Sequence, residues 1–347
     1  MMATTQHLLR RPWAWLVGLA ILASAALWWW SSARQASQAR AEPQVCALAA
    51  PEANSPHPGM VWVPAGSFEM GDDVYPEESP RQRVRVAGFW MDRTEVTNDA
   101  FAAFVQATGH ITQAERPVDT LQHPGLPAQF QQAGAVVFVM PNDVHGRGHV
   151  TQWWRYTPGA NWRHPGGPDT SIEGKGAFPV VAITTEDALA YARWKGHSLP
   201  SEAQWEWAAR AARPEPPPAH EQPRKANTWQ GLFPVVNLAE DGFAGLAPVG
   251  CYEPNALGLF DMIGNVWELT ADAWTAHPKA TDLVGLPDAM PTGMRTGQAP
   301  QQVIKGGSFL CAPNYCMRYR AGARQAQERD LATSHLGFRT VVNGTLR

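Results

Sequence analysis

Near the end of the chain, "KGGSFLCAPNYCMRYR" (305–320) holds Cys311 and Cys316, two of only four cysteines in 347 residues. A C-x-x-x-x-C spacing admits three chemistries. In an exported protein it is most simply a local disulfide. Two thiolates are also soft ligands that suit Cu(I) or zinc. A thiol beside cations and hydroxyls can instead be reactive, because such neighbours lower its pKa. Zinc usually takes four ligands, often as two close pairs. No second close pair exists, since Cys46 and Cys251 stand isolated, and this argues against structural zinc. Ser308, Tyr315, Arg318, Tyr319 and Arg320 crowd the pair. Guanidinium groups and hydroxyls can orient a bound anion, and a plain staple does not need them.

Two oxygen-rich stretches come next. "NTWQG" with "EDGF" offers Asn227 and Asp241, and "FDMIGNVWE" offers Asp261 and Glu268. Calcium is held by such carboxylate, amide and carbonyl oxygens. Neither stretch has EF-hand spacing, so the residues alone read as turns closed by Asn and Asp side chains. His145 and His149 stand four apart, but Gly146 and Gly148 between them oppose a helical metal face. That pair reads as loop surface.

The elements that must position these groups are short. "MVWVPAGSFEMGDD" (60–73) predicts a strand and a turn, and "RQRVRVAGFWMDRTEVT" (81–97) alternates again. A helix follows with Thr97 as N-cap and Gly109 as its stop. Thr184 with Asp187, and Ser201 with Gln204, each have the spacing of a capping box and predict two more helices. "RPEPPPAHEQPRK" (213–225) reads as a surface loop, and the last 120 or so residues are turns and short apolar runs. With 30 glycines, 30 prolines and 16 tryptophans, the composition fits an irregular globule pinned by large rings, not a helical bundle. The expected fold is α+β, loop-rich and of low regular secondary structure. A net charge of −3 gives no basic surface for nucleic acid, and the body is expected to be a monomer.

The N-terminus differs from the rest. Residues 12–30, "PWAWLVGLAILASAALWWW", carry no charge over 19 residues, enough to cross a bilayer. Arg10 and Arg11 precede the run, and three tryptophans close it, which orients the N-terminus to the cytoplasm. An uncleaved inner-membrane anchor is expected. A cleaved signal peptide and twin-arginine export are the alternatives. All three place the body outside the cytoplasm, in a periplasmic compartment that permits disulfides. The organisation is then a stub and anchor at 1–30, a flexible linker at 31–58 and a single domain at 59–347.

The cysteine segment, with "SHLGFR" (334–339), resembles the C-terminal core of the formylglycine-generating enzymes of the sulfatase-modifying factor family. The resemblance runs over about 59–342 and includes "VPAGSFEMG", "FWMDRTEVTN", "GANWRHPGGPD", "GHSLPSEAQWEWAAR" and "NALGLFDMIGNVWELTAD". It implies a fold related to C-type-lectin-like domains. It implies an oxidase that uses O₂ to convert a cysteine in an unfolded sulfatase, within C-x-P-x-R, to Cα-formylglycine. Cu(I) would be held by Cys311 and Cys316, with Ser308, Tyr315 and Trp267 in the catalytic site. Trp162, Arg163 and His335 would face the substrate peptide, His335 standing where the animal enzymes have asparagine. Two structural calcium ions are implied. One would use Asn227, the carbonyl of Thr228, Asp241 and the carbonyl of Phe243. The other would use Asp261, the carbonyls of Gly264 and Val266, and Glu268. The extra disulfides of the animal enzymes are absent, and Cys46 and Cys251 do not replace them by position. Two rivals share the superfamily. One is a non-catalytic binding module in which Cys311–Cys316 is an inert disulfide. The other is an iron-dependent sulfoxide-synthase-type enzyme, which expects a histidine-based site and an added helical domain.

Overall fold

The structure, a computed structural model, describes residues 46, 55–121, 124–146, 149–214, 225–276 and 300–344. The apolar run at 12–30, most of the linker and most of the proline-rich segment lie outside these residues. The described residues belong to one compact unit that begins at Cys46.

Strands are short and helices few, as the punctuation of the sequence requires. The strands are β1 (Met60–Val63), β2 (Gly66–Met70), β3 (Gln82–Val86), β4 (Phe89–Asp92), β5 (Gly134–Phe138) and β6 (Trp154–Pro158), then β7 (Trp267–Ala273), β8 (Gln301–Lys305), β9 (Arg324–Glu328), β10 (Leu336–Gly337) and β11 (Val341–Asn343). β4 pairs antiparallel with β1 on one side and β11 on the other, so the two ends of the domain close one sheet. β2–β3 and β5–β6 form two hairpins. The remaining sheet runs β10-β7-β8-β9, with β10 parallel to β7 and the other pairs antiparallel.

The three α-helices among the described residues start where their caps predict. In α1 (Asn98–Thr108) the Thr97 side chain accepts from Ala100 N, and Gly109 ends the helix at φ 68°. α2 (Thr185–Lys195) opens on the Thr184/Asp187 capping box, and α3 (Glu202–Ala209) on that of Ser201/Gln204. A side-chain oxygen at the N-cap satisfies a backbone donor that the first turn leaves unpaired.

α3 also carries two carboxylates inward. Glu206 accepts from Lys305 Nζ at 3.0 Å and pairs with Arg210, while both oxygens of Glu202 accept from Arg324. Lys305 ends β8 and Arg324 begins β9, and the Cys311/Cys316 loop runs between them. The helix therefore holds both feet of that loop by buried ion pairs. Cys46 is disulfide-bonded to Cys251. This corrects the reading of the two as isolated: 205 residues separate them in sequence, and only the fold brings them together.

Lys305 is fully buried, and breaking a buried ion pair from one side leaves an uncompensated charge. Lys305→Ala is expected to lower stability by about 3–5 kcal/mol. The measurement is a fall in the urea midpoint with an unchanged m-value.

Candidate active site

The chain leaves β8 through Gly306 and Gly307, both at positive φ. A Cβ at Gly307 would lie 2.8 Å from the Arg318 carbonyl oxygen and 3.2 Å from Cys311 Sγ, so only glycine fits. Ser308 O accepts from Cys311 N, and Ala312 O accepts from the amides of both Tyr315 and Cys316. That single turn folds the second cysteine back onto the first. Their sulfurs lie 2.7 Å apart as free thiols, well beyond a disulfide bond length of about 2.05 Å. The pair is 1% and 7% exposed and packs in one cluster with Trp162, Trp267, Phe101, Tyr319, Leu336 and Phe338.

The two sulfurs are electrostatically unequal. The hydrogen bond from Cys311, aided by the Arg318 backbone and guanidinium, brings Cys316 down to about 7. Burial, then the neighbouring sulfur, pushes Cys311 well up. Of the two sulfurs, Cys316 is the one whose anion its surroundings favour. Arg318 is itself pinned by an ion pair to Glu77, and its guanidinium lies 4.0 Å over the Tyr75 ring. The Tyr75 hydroxyl accepts from Met317 N at 3.2 Å. The first hairpin region therefore steadies the segment after Cys316, a role invisible in local sequence.

The other expected site residues divide. Trp162 and Trp267 share the cysteine cluster as buried walls. Ser308 is fully buried directly ahead of the pair, its hydroxyl accepting from Leu310 N. Tyr315 is 44% exposed, stacks on Phe233 at 4.2 Å and meets Trp153 edge-on at 5.8 Å. Arg163 lies over the Trp162 ring at 4.1 Å and pairs with Glu115. His335 passes its carbonyl to Trp267 N, bonds Thr333 through Nδ1 at 2.9 Å and lies 4.7 Å from the Trp154 ring. Burial drives its pKa down to about 3, so it is a neutral imidazole. Sequence reasoning missed Phe233, Trp153, Tyr75 and Glu77. Each comes from a distant segment, and only their aromatic or acidic character could have drawn notice. His145 and His149 lie on an exposed loop, as their flanking glycines indicate.

Among the described residues no group of three or more His, Cys, Asp or Glu side chains is arranged to hold a metal ion. A cation here must use a smaller side-chain set completed by carbonyls, amides or substrate. The cysteine pair fits a soft ion by its donor chemistry. At the first oxygen-rich stretch, Asn227 is buried and its Oδ1 has no hydrogen-bond partner, while Asp241 accepts from the amides of Thr228 and Phe243. An orphaned amide oxygen beside a carboxylate fits a hard cation. The second stretch fits less simply. Both oxygens of Glu268 accept from Arg339 at 2.7 Å, and Oε2 also accepts from Trp205. The expected calcium ligand Glu268 is thus held by a buried arginine. Burial raises Asp261 to about 6.

With this geometry in place, comparison with known proteins is decisive. The model of the "Sulfatase-modifying factor enzyme 1-like domain" matches residues 45–344. The chain belongs to this family. It is 44% identical over 292 residues to the formylglycine-generating enzyme of Mycobacterium tuberculosis, covering 82% of this chain and 97% of that one. The family is not uniformly catalytic by name: "Inactive C-alpha-formylglycine-generating enzyme 2" of mouse is 35% identical over 297 residues, covering 81% of this chain and 85% of that one. The solved structure of PvdO from Pseudomonas aeruginosa matches with a TM-score of 0.56 at 25% identity, over 82% of this chain and 94% of that one. The loop-rich sulfatase-modifying-factor fold expected from the sequence is the one observed.

A depressed thiol pKa means that the anion is present at neutral pH and is lost as pH falls through about 7. Thiolate absorbance near 240 nm in metal-free protein is expected to titrate with that midpoint. Cys316→Ser should abolish the step.

Proposed function

We propose that this protein is a copper-dependent oxidase that converts a cysteine of an unfolded sulfatase, in a C-x-P-x-R segment, to Cα-formylglycine with O₂. The observation that carries the reading is the buried, unbonded thiol pair, with its sulfurs 2.7 Å apart. An inert staple would be bonded. Family membership and identity to named formylglycine-generating enzymes support the same reaction.

Cys311 and Cys316 would hold Cu(I), which supplies the electron transfer to O₂ when bound. Conversion of CH₂SH to CHO releases H₂S. With O₂ taken to water, the balance needs two further electrons and two protons, which an external thiol reductant provides. The chain's own residues do the remaining work. Trp162 and Trp267 keep water from the sulfurs. Arg318 stabilises the anion on Cys316. Tyr315, backed by Phe233 and Trp153, offers an aromatic edge where an extended peptide can lie. His335, being neutral, can accept or donate a hydrogen bond without adding charge.

Two structural calcium ions are part of the proposal, one at Asn227, the Thr228 carbonyl, Asp241 and the Phe243 carbonyl, the other around Asp261. Localisation is proposed as extracytoplasmic, tethered at the inner membrane. The Cys46–Cys251 disulfide supports an oxidising compartment, and the charge-free run at 12–30 supports the tether.

The test loads the protein with Cu(I) under mild reductant and mixes it in air with a C-x-P-x-R peptide, followed by mass spectrometry. Conversion to the aldehyde is expected in the wild type. Cys311→Ser and Cys316→Ser are expected to fall to the level of a protein-free control while keeping the wild-type melting temperature. Absence of conversion, with Cys311 and Cys316 locked as a disulfide, would favour the binding module instead.

A further inference from the structure

Between Gln230 and Leu238 the chain forms a closed loop held against the cysteine turn. Trp229 N donates to Cys311 O at 3.0 Å, and the Asn314 side chain both donates to Phe233 O and accepts from Phe233 N. The Phe233 ring stacks on Tyr315. Within the loop, Leu238 N donates to Gln230 O, and the amides of Val235 and Val236 donate to Leu232 O. Gly231 sits at φ 129°, where a Cβ would lie 2.5 Å from Val236 O. The loop is thus fixed in shape, yet it turns three aliphatic side chains to solvent: Leu232, Val236 and Leu238 are 58%, 46% and 60% exposed. Val150, also exposed, adds apolar surface beside Trp153, whose amide donates to the Val150 carbonyl. Aliphatic groups held in the open stabilise nothing until something covers them.

We propose that Leu232, Val236 and Leu238 form a docking surface for apolar side chains of the client chain that lie outside its C-x-P-x-R segment. The inference rests on the oxidase reading above and adds to it a preference among clients. Continuity with the thiol site argues for this occupant, because the loop is bonded directly to the backbone of Cys311 and to the side chain of Asn314. A chain whose cysteine is at the sulfurs therefore passes close to these groups. Charge argues the same way. Residues 231–239, "GLFPVVNLA", carry none, whereas a face made for anionic lipid would add Lys or Arg. An unfolded client still displays the apolar side chains that its own core will later bury, and these match an uncharged aliphatic surface.

The test uses the full-length, metal-free protein in lipid discs and two fluorescent peptides. Both carry the C-x-P-x-R segment with serine at the cysteine, so that turnover does not enter the reading. One has leucines on both flanks and the other serines. Affinity is read by anisotropy against empty discs. The leucine-flanked peptide is expected to bind about tenfold more tightly, a factor that burial of a few methylene groups supplies. The double variant Leu232→Ser/Leu238→Ser should remove that advantage, leave the serine-flanked peptide as it was and keep the wild-type melting temperature, both positions being exposed. An advantage that survives in the double variant, or is absent from the wild type, overturns the docking surface. Hydroxyl-radical footprinting of the discs without peptide tests the other occupant. Leu232 and Leu238 open to the radical support the proposal, and the same residues shielded by lipid overturn it. Turnover by the copper-loaded protein separates the two readings. Conversion of cysteine peptides with equal KM for both flanks overturns this surface alone, whereas conversion of neither overturns the oxidase and the surface with it.

Discussion

Helix α3 takes Glu202 and Glu206 into an interior that would otherwise reject them, and there they meet Arg324 and Lys305. Carboxylates in a low-dielectric setting persist only with their partners in place. The cysteine loop hangs between those two partners, so its endpoints are fixed by charge where helix and strand packing alone would leave them looser. The geometry of the thiol pair depends on this clamp. With its ends held, a single turn over Ala312–Cys316 and two left-handed glycines suffice to bring the sulfurs together.

The base of the loop is braced from a second side. Gly264 N donates to Gly306 O, Asn265 O accepts from Phe309 N, and Asn265 N donates to Asn227 O. One tight turn therefore joins both oxygen-rich stretches to the loop. Asp261 and Asn265 adopt positive φ here, conformations that cost energy for residues with side chains and persist where surroundings over-determine them. Ions bound at this turn would act on the cysteines through backbone contacts, at a distance from the sulfurs.

Much of this was legible in the sequence because it is local. The helix starts follow from Thr97, Thr184 and Ser201, whose side chains act within three residues. The prominence of Cys311 and Cys316 follows from their spacing, though spacing alone favoured a bond between them. What stayed hidden is long-range. The Cys46–Cys251 link spans 205 residues. Tyr75 and Glu77 reach Arg318 across more than two-thirds of the chain. Nothing nearby in sequence announces Arg339 as the partner of Glu268.

The molecule holds two sulfur pairs in opposite states. Cys46 and Cys251 are joined, while Cys311 and Cys316, with their sulfurs 2.7 Å apart, are not. An oxidant that joins the first pair would also join the second wherever it reached those sulfurs. The burial of the second pair in its tryptophan-walled cluster sets a sieve on which molecules can exchange electrons with it. The two pairs thus place contrary demands on their surroundings, and burial separates them: what reaches one pair need not reach the other.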